Sequence, residues 1–308
     1  MSVEDSAIAS RRAPLLAPGV GWGSIGVLAF SVTFPASAAA LPAFGAVTVG
    51  LGRAVPAALL GAVCLLATRA VRPTRSQWRR LVLVAAGVVV GFPLCSALAL
   101  RDTTSAHSAV LVGLLPAATA ALAVLRGGER PRWPFWAACG FGVVTVLGFA
   151  MIQGAGQIRV ADLWLLAAVG CAAMGYAEGG VLARELGGWQ VISWALLIAL
   201  PVTVAVTAVN LASGPWHSPD FHAWLGFAYV SVVSQFAGFY AWYRGLAEGG
   251  IAKISQLQLM QPVLTLVWSA LLLSEEITPA NTAGAVLVIA AVAVTQRTRD
   301  RVTAADPR

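Results

Sequence analysis

Runs of about twenty apolar residues follow one another along nearly the whole chain, separated by short segments that hold most of the Arg and Trp. They fall at 22–40, 45–68, 81–100, 106–125, 133–152, 162–183, 189–210, 223–243, 252–273 and 279–296. Each is close to the roughly 20 residues an α-helix needs to cross the bilayer core. The pattern predicts an all-α integral membrane protein with ten transmembrane helices, antiparallel to their chain neighbours. Residues 1–20 and 298–308 lack the pattern and read as cytoplasmic tails, the first of them disordered. Arg11 and Arg12 before the first run, and ASAAA near its end, imitate a signal peptide. The run exceeds the 7–15 residues of a signal-peptide core and many spans follow, so it is expected to stay as a helix.

One run carries an ordered polar stripe. In Ala252–Glu276, residues Ser255, Gln258, Gln261, Thr265 and Ser269 fall within about a third of the helix circumference, while Leu259, Val263 and Leu266 lie outside it. Amides facing lipid would lack partners, so the stripe should face protein or water. It is either the wall of a polar cavity or a set of bonds between helices.

The same stretch has an upstream twin. Pro116 precedes Glu129 by the same interval that separates Pro262 from Glu275, and the two pairs are offset by 146 positions. Pro56 and Pro201 repeat nearly the same offset. Two homologous halves follow, 21–155 and 156–297, each with five spans. An odd number of spans per half inverts the second half relative to the first. Inverted repeats commonly place a transport site between the halves, near the membrane midplane. In the first half, however, Ala109, Val112, Leu115, Thr119 and Ala123 stand where the stripe would be, so the lining need not be symmetric.

Composition agrees with membrane insertion: 58% of residues are hydrophobic and 11% charged, where soluble domains carry about 25% charge. Mean hydropathy is +0.80. The four Cys (Cys64, Cys95, Cys139, Cys171) lie in apolar runs, which argues against a disulfide framework. Of the 20 basic residues, only Arg101 and Arg159 fall on the side opposite the termini, with Arg53 inside a span. The positive-inside rule then puts both termini in the cytoplasm. The net charge of +7 is thus a membrane asymmetry and not a nucleic-acid footprint. Trp22, Trp78, Trp133, Trp164, Trp189 and Trp224 mark span ends as interfacial anchors.

Ionisable groups inside the spans are few. Arg53, about eight residues into the second span, is either a cavity cation for a substrate carboxylate or a structural Arg bonded to carbonyls. Glu178 either exchanges a proton or pairs with Arg184 or Lys253 at the inner mouth. On the eighth span Ser231, Ser234, Gln235, Gly238 and Trp242 share a face, with Tyr240 on the neighbouring one. These could bind a zwitterion, Trp242 or Tyr240 covering its apolar part, though aromatic clusters are more often core. Glu129, Glu275 and Glu276 precede helices whose N-terminal dipoles favour acids. Arg244 and Glu248 are spaced for a surface ion pair. His217, Asp220 and His222 share one loop and read as polar loop residues in preference to a metal site. No Walker motif or membrane-depth nucleophile with a base appears, so neither an enzyme nor an ATP-driven pump is indicated, and no cofactor is expected.

The Pro116–Glu129 and Pro262–Glu275 segments, Arg53, and the run YAWYRGLAEGGIAKISQLQLMQPVLTLVWSALLLSEE from Tyr240 to Glu276 together resemble the EamA-type members of the drug/metabolite transporter superfamily. The resemblance covers about Gly21 to Gln296. It implies a multi-pass carrier of the bacterial cytoplasmic (inner) membrane that moves small metabolites, often amino acids or their relatives and often outward. The expected substrate residues are Arg53, Gln235, Tyr240, Trp242, Ser255, Gln258, Gln261 and Thr265, with Glu178 as a candidate for proton coupling. Expected partners are a small-molecule substrate and the lipid bilayer, with no nucleic acid and no metal. A passive facilitator or channel is the alternative, and a membrane-embedded enzyme or sensor a weaker one. Monomer and homodimer both stay open.

Overall fold

The computed structural model describes residues 19–127, 133–153, 157–213, 218–250 and 254–305. The expected N-terminal tail, Glu129, His217 and Lys253 lie almost wholly or entirely outside these residues. Described elements are helical, and they run in order: α1 (Val20–Ser31), α2 (Thr33–Val47), α3 (Ala54–Ala67), α4 (Arg75–Val84), α5 (Phe92–Ala99), α6 (Ser105–Val112), α7 (Leu115–Gly127), α8 (Trp133–Gln153), α9 (Val160–Leu186), α10 (Gly188–Ser213), α11 (Phe221–Ala228), α12 (Phe239–Gly249), α13 (Gln261–Leu273) and α14 (Pro279–Ala305). Widened π turns occupy Thr48–Gly52, Ala85–Gly91 and Tyr229–Gly238, and a tight 3₁₀ segment spans Gln256–Met260.

Several spans are therefore jointed. α1 and α2 form the first span, and the chain reverses at Gly45, whose φ of 71° leaves the helical region. A residue with a Cβ rarely adopts that angle, so glycine makes this sharp turn possible. The second span is the π turn plus α3, the third α4–α5, the fourth α6–α7, the eighth α11–α12 and the ninth the 3₁₀ segment with α13. The fifth, sixth, seventh and tenth are α8, α9, α10 and α14. α14 continues to Ala305, past the point at which the apolar pattern ends.

Packing follows a two-fold plan. α8 packs on α14, α3 on α10, and α6 on α13, so three spans of the first half each meet their own counterpart. α1 packs on α12, and α9 packs on α4 and α5, which is the same crossing with the halves exchanged. Those two crossings are close because both partners are small. A Cβ on Gly87 would strike the Cys171 carbonyl, and one on Gly245 would strike the backbone of Gly23. Without a hydrophobic force between helices in lipid, close backbone approach supplies the packing energy.

The two ends of the bundle differ in charge. One end gathers Arg69, Arg72, Arg75, Arg79, Arg80, Arg184 and Arg244 with the fewer acids Glu178, Glu185 and Glu248; the other holds Arg101 and Arg159 with Asp102, Asp162, Glu275 and Glu276. Exposed Trp133 and Trp224 sit at span ends, where interfacial anchors belong.

Candidate functional site

The fourth and ninth spans break at equivalent places. α6 stops at Val112 and α7 starts at Leu115 with Pro116 second; the 3₁₀ segment stops at Met260 and α13 starts at Gln261 with Pro262 second. Proline has no N–H to give and suits a first turn best, and here Pro116 and Pro262 each stand second in a fresh helix with a joint before it. The two joints face each other. Between them lies a cavity lined by Ala109, Val112, Leu115 and Pro116 on one side and by Gln258, Gln261, Pro262 and Thr265 on the other, with Phe34 closing a third.

This is a polar wall against an apolar wall. The cavity holds about 10 Å³ for the centre of a water molecule, close to the minimum for one water. Any metabolite needs the walls to part.

The stripe divides between the two roles expected of it. Thr265 donates its hydroxyl to the Ser31 carbonyl at 2.8 Å, in the joint between α1 and α2, and the Trp268 indole donates to Ser31 Oγ. Ser269 donates to Ser105 Oγ at 2.8 Å. Ser255 is buried and lies off the cavity lining. Gln258 is different. It is 2% exposed, and neither its amide nitrogen nor its oxygen has a hydrogen-bond partner. Its amide lies near enough to the Tyr176 phenol to interact with it, without meeting hydrogen-bond geometry. An unpartnered buried amide costs about 1–3 kcal/mol.

The remaining predicted residues are spread through the bundle. Gln235, fully buried in the π turn of the eighth span, donates to the Val88 carbonyl in the equivalent π turn of the third, while its own oxygen lacks a partner. Trp242 is also fully buried, its ring 5.7 Å from that of Tyr176, and its indole N–H is unpartnered. Arg53 follows the π turn of the second span, is 2% exposed, and has no hydrogen-bond partner for Nε. Tyr240 sits instead at the arginine-rich end. Its hydroxyl accepts from Arg244 at 3.0 Å and its ring lies 5.5 Å from that of Trp22. The expected Arg244–Glu248 pair is formed at 2.7 Å.

Two acids bond groups that the sequence did not suggest. Glu178 is bound by Arg80 at 3.0 Å, and Arg80 also holds Glu185; this clasp ties α4 to α9 across the repeats, while Arg184 is exposed and Lys253 lies outside the described residues. The sequence distance between Arg80 and Glu178 concealed it. Glu275 serves not the helix it precedes but α6 of the other half, accepting from the Ser105 and Ala106 N–H groups at 3.0 and 2.9 Å. Asp220 caps α11 through the Ala223 N–H, which accounts for its loop position.

Phe34, Tyr176, His107 and Asp162 escaped the sequence reading. Tyr176 is an aromatic residue among Gly and Ala on α9, which is a weak signal. His107 and Asp162 lie one turn inside helix starts, where they look like end residues; the fold pairs them at 2.6 Å. Among the described residues no group of His, Cys, Asp and Glu is arranged to hold a metal.

Ten spans in two inverted halves, several of them jointed, with a near-closed cavity between equivalent joints, define a multi-pass membrane transporter fold. The chain belongs to the EamA-like transporter family, whose profile matches it twice, over residues 17–151 and 159–297. It is 45% identical over 279 residues to the uncharacterized transporter YdeK of Bacillus subtilis (strain 168), covering 90% of this chain and 97% of that one. A crystal structure of another protein superposes with a TM-score of 0.61 at 18% identity, over 90% of this chain and 95% of its own. At that identity the likeness speaks for the fold alone.

Proposed function

We propose that this transporter is a secondary carrier for small amphipathic metabolites, amino acids or their relatives, working by alternating access at the central cavity, with export as its direction. The observation that carries the reading is Gln258, a buried amide on the wall of a near-closed cavity that meets full hydrogen-bond geometry with no described protein group and has only a loose contact with the Tyr176 phenol. A carrier needs groups that are unsatisfied when empty and satisfied when loaded, because only differential binding drives a change of state. Gln258 and Gln261 would bond the polar end of the ligand, and Ala109, Val112 and Leu115 would cover its apolar part. Gln235, Trp242 and Arg53 add unpartnered buried groups that substrate or water could reach once the bundle opens. Ser255 and Tyr240 stay in this proposal as candidates along the path to the arginine-rich mouth, and Glu178 as a candidate for proton coupling.

The near-closed cavity favours a carrier over an open channel. The test is release of a mixed amino-acid and metabolite pool from proteoliposomes, read by mass spectrometry, with and without a pH gradient. Saturable loss of a few compounds, with counterflow, is the expected result. Release without saturation would turn the reading to a facilitator, and no selective release would overturn it.

A further inference from the structure

The arginine-poor end of α6 is pinned to the other half of the protein three times within its first turn. Glu275 accepts from its first two N–H groups, Ser269 bonds Ser105, and Asp162 at the start of α9 holds His107 at 2.6 Å. The third contact sets an imidazole against a carboxylate. Asp162 is 1% exposed; one of its oxygens accepts from the Arg159 N–H, and the other meets His107 Nε2. The imidazole is 7% exposed, lies flat on Phe149 with centroids 5.1 Å apart, and forms part of the floor of an open polar vestibule of about 410 Å³. Protons can therefore reach the buried pair from water.

The charged groups around it come from the start of α9 and from the segments before α6 and α14. Asp162 and Arg159 belong to the start of α9, Asp102 to the segment before α6, and Glu275 and Glu276 to the segment before α14. α2, α8 and α13 contribute no charged residue. Half a turn beyond His107, Ala109 lines the central cavity, followed by Val112. A change at the histidine thus bears directly on the apolar wall.

We propose that the His107–Asp162 pair is a proton-binding site that controls opening of the arginine-poor end of the central cavity. It rests on the reading of that cavity as the carrier's site. A neutral imidazole gives Asp162 one hydrogen bond; a protonated one gives it an ion pair in a place nearly free of water, where the attraction is larger. Proton binding and closure therefore favour each other, so the end closes on the acid side and loosens as pH rises.

The test is the rate at which a membrane-impermeant maleimide labels Ala109→Cys, behind the clamp, divided by the rate for Thr103→Cys in the vestibule. Both are made in the full chain with its four native Cys replaced, reconstituted in liposomes. The ratio cancels the pH dependence of the thiol reaction. Between about pH 6 and about pH 8 it should rise roughly tenfold, and His107→Gln, which keeps a neutral hydrogen-bonding side chain, should flatten it. A flat ratio in the parent protein, or an unchanged slope in His107→Gln, overturns the proposal. Should His107→Gln reduce folded yield, Asp162→Asn serves as the second variant with the same expectation. Flux of the metabolite pool at fixed pH tests the carrier reading separately. Transport with a flat ratio removes only the clamp, and a pH-dependent ratio without transport removes only the carrier.

Discussion

The two walls of the central cavity descend from one repeated segment, yet they offer opposite chemistry. On the α6–α7 side Ala109, Val112 and Leu115 face the space; on the other, Gln258 and Gln261 occupy the positions equivalent to Val112 and Leu115. Both walls keep the joint and the proline. Backbone geometry that lets the walls move is shared, while the side chains that would recognise a ligand belong to one half. An inverted pair can thus retain symmetric mechanics and still bind an asymmetric molecule in a single orientation.

The sharpest way to break the contrast is to make both walls apolar. Gln258→Leu should lower transport about a hundredfold, equivalent to about 2.7 kcal/mol of lost ligand contact. It should leave the melting temperature unchanged or raised, because an unpartnered buried amide is removed. Parallel loss of folded protein would instead make Gln258 structural.

Making both walls polar is the reverse experiment. Val112→Gln places a second amide opposite the first, and burying it should cost about 1–3 kcal/mol unless the two amides bond. A drop in melting temperature, with preference shifted toward more polar compounds in a competition assay, is expected. An unchanged preference would mean that the α6–α7 wall does not touch the substrate.

Arg53 asks whether recognition extends beyond the two walls. Arg53→Gln keeps hydrogen-bonding capacity and removes the charge, so a carboxylate-binding role predicts roughly tenfold loss of flux, about 1.4 kcal/mol, at normal folded yield. Loss of folded protein in gel filtration would mark Arg53 as structural.

Smaller effects belong to the contacts that frame the walls. Arg80→Met removes the bond that ties Glu178 to α4; since both groups keep some contact with water, about 1 kcal/mol of destabilisation is expected, with a several-fold change in flux. Thr265→Val deletes one bond to Ser31 and should cost about 1 kcal/mol of stability with little effect on substrate choice. A large change in selectivity would move Thr265 from the frame to the recognising group.

How much of this was legible beforehand depends on the range of the interaction. The ten spans, the repeat and the polar stripe were visible because each is written in local periodicity or in spacing along one strand of sequence. Gln258, Gln261 and Thr265 were correctly placed on a common face, since three and four residues bring helix positions together. What the stripe does there was not visible. Thr265 and Ser269 spend their hydroxyls on Ser31 and Ser105, more than a hundred residues away. Only Gln258 and Gln261 remain for the cavity. Glu178 and Glu275 looked like local features because their nearest charged or helical neighbours in sequence were plausible partners. The fold also gives them partners across the repeat boundary, Arg80 for Glu178 and the start of α6 for Glu275.

By itself, the sequence determined that the chain lives in a membrane, how often it crosses and that its halves are inverted copies. Those follow from the cost of exposing backbone and charge to hydrocarbon, which acts residue by residue. Tertiary structure alone decided which polar groups are satisfied and which are left open. Satisfaction is a property of a pair, and in this fold the pairs form where helices of opposite halves cross. The unpartnered amide at Gln258 and the His107–Asp162 contact exist only there.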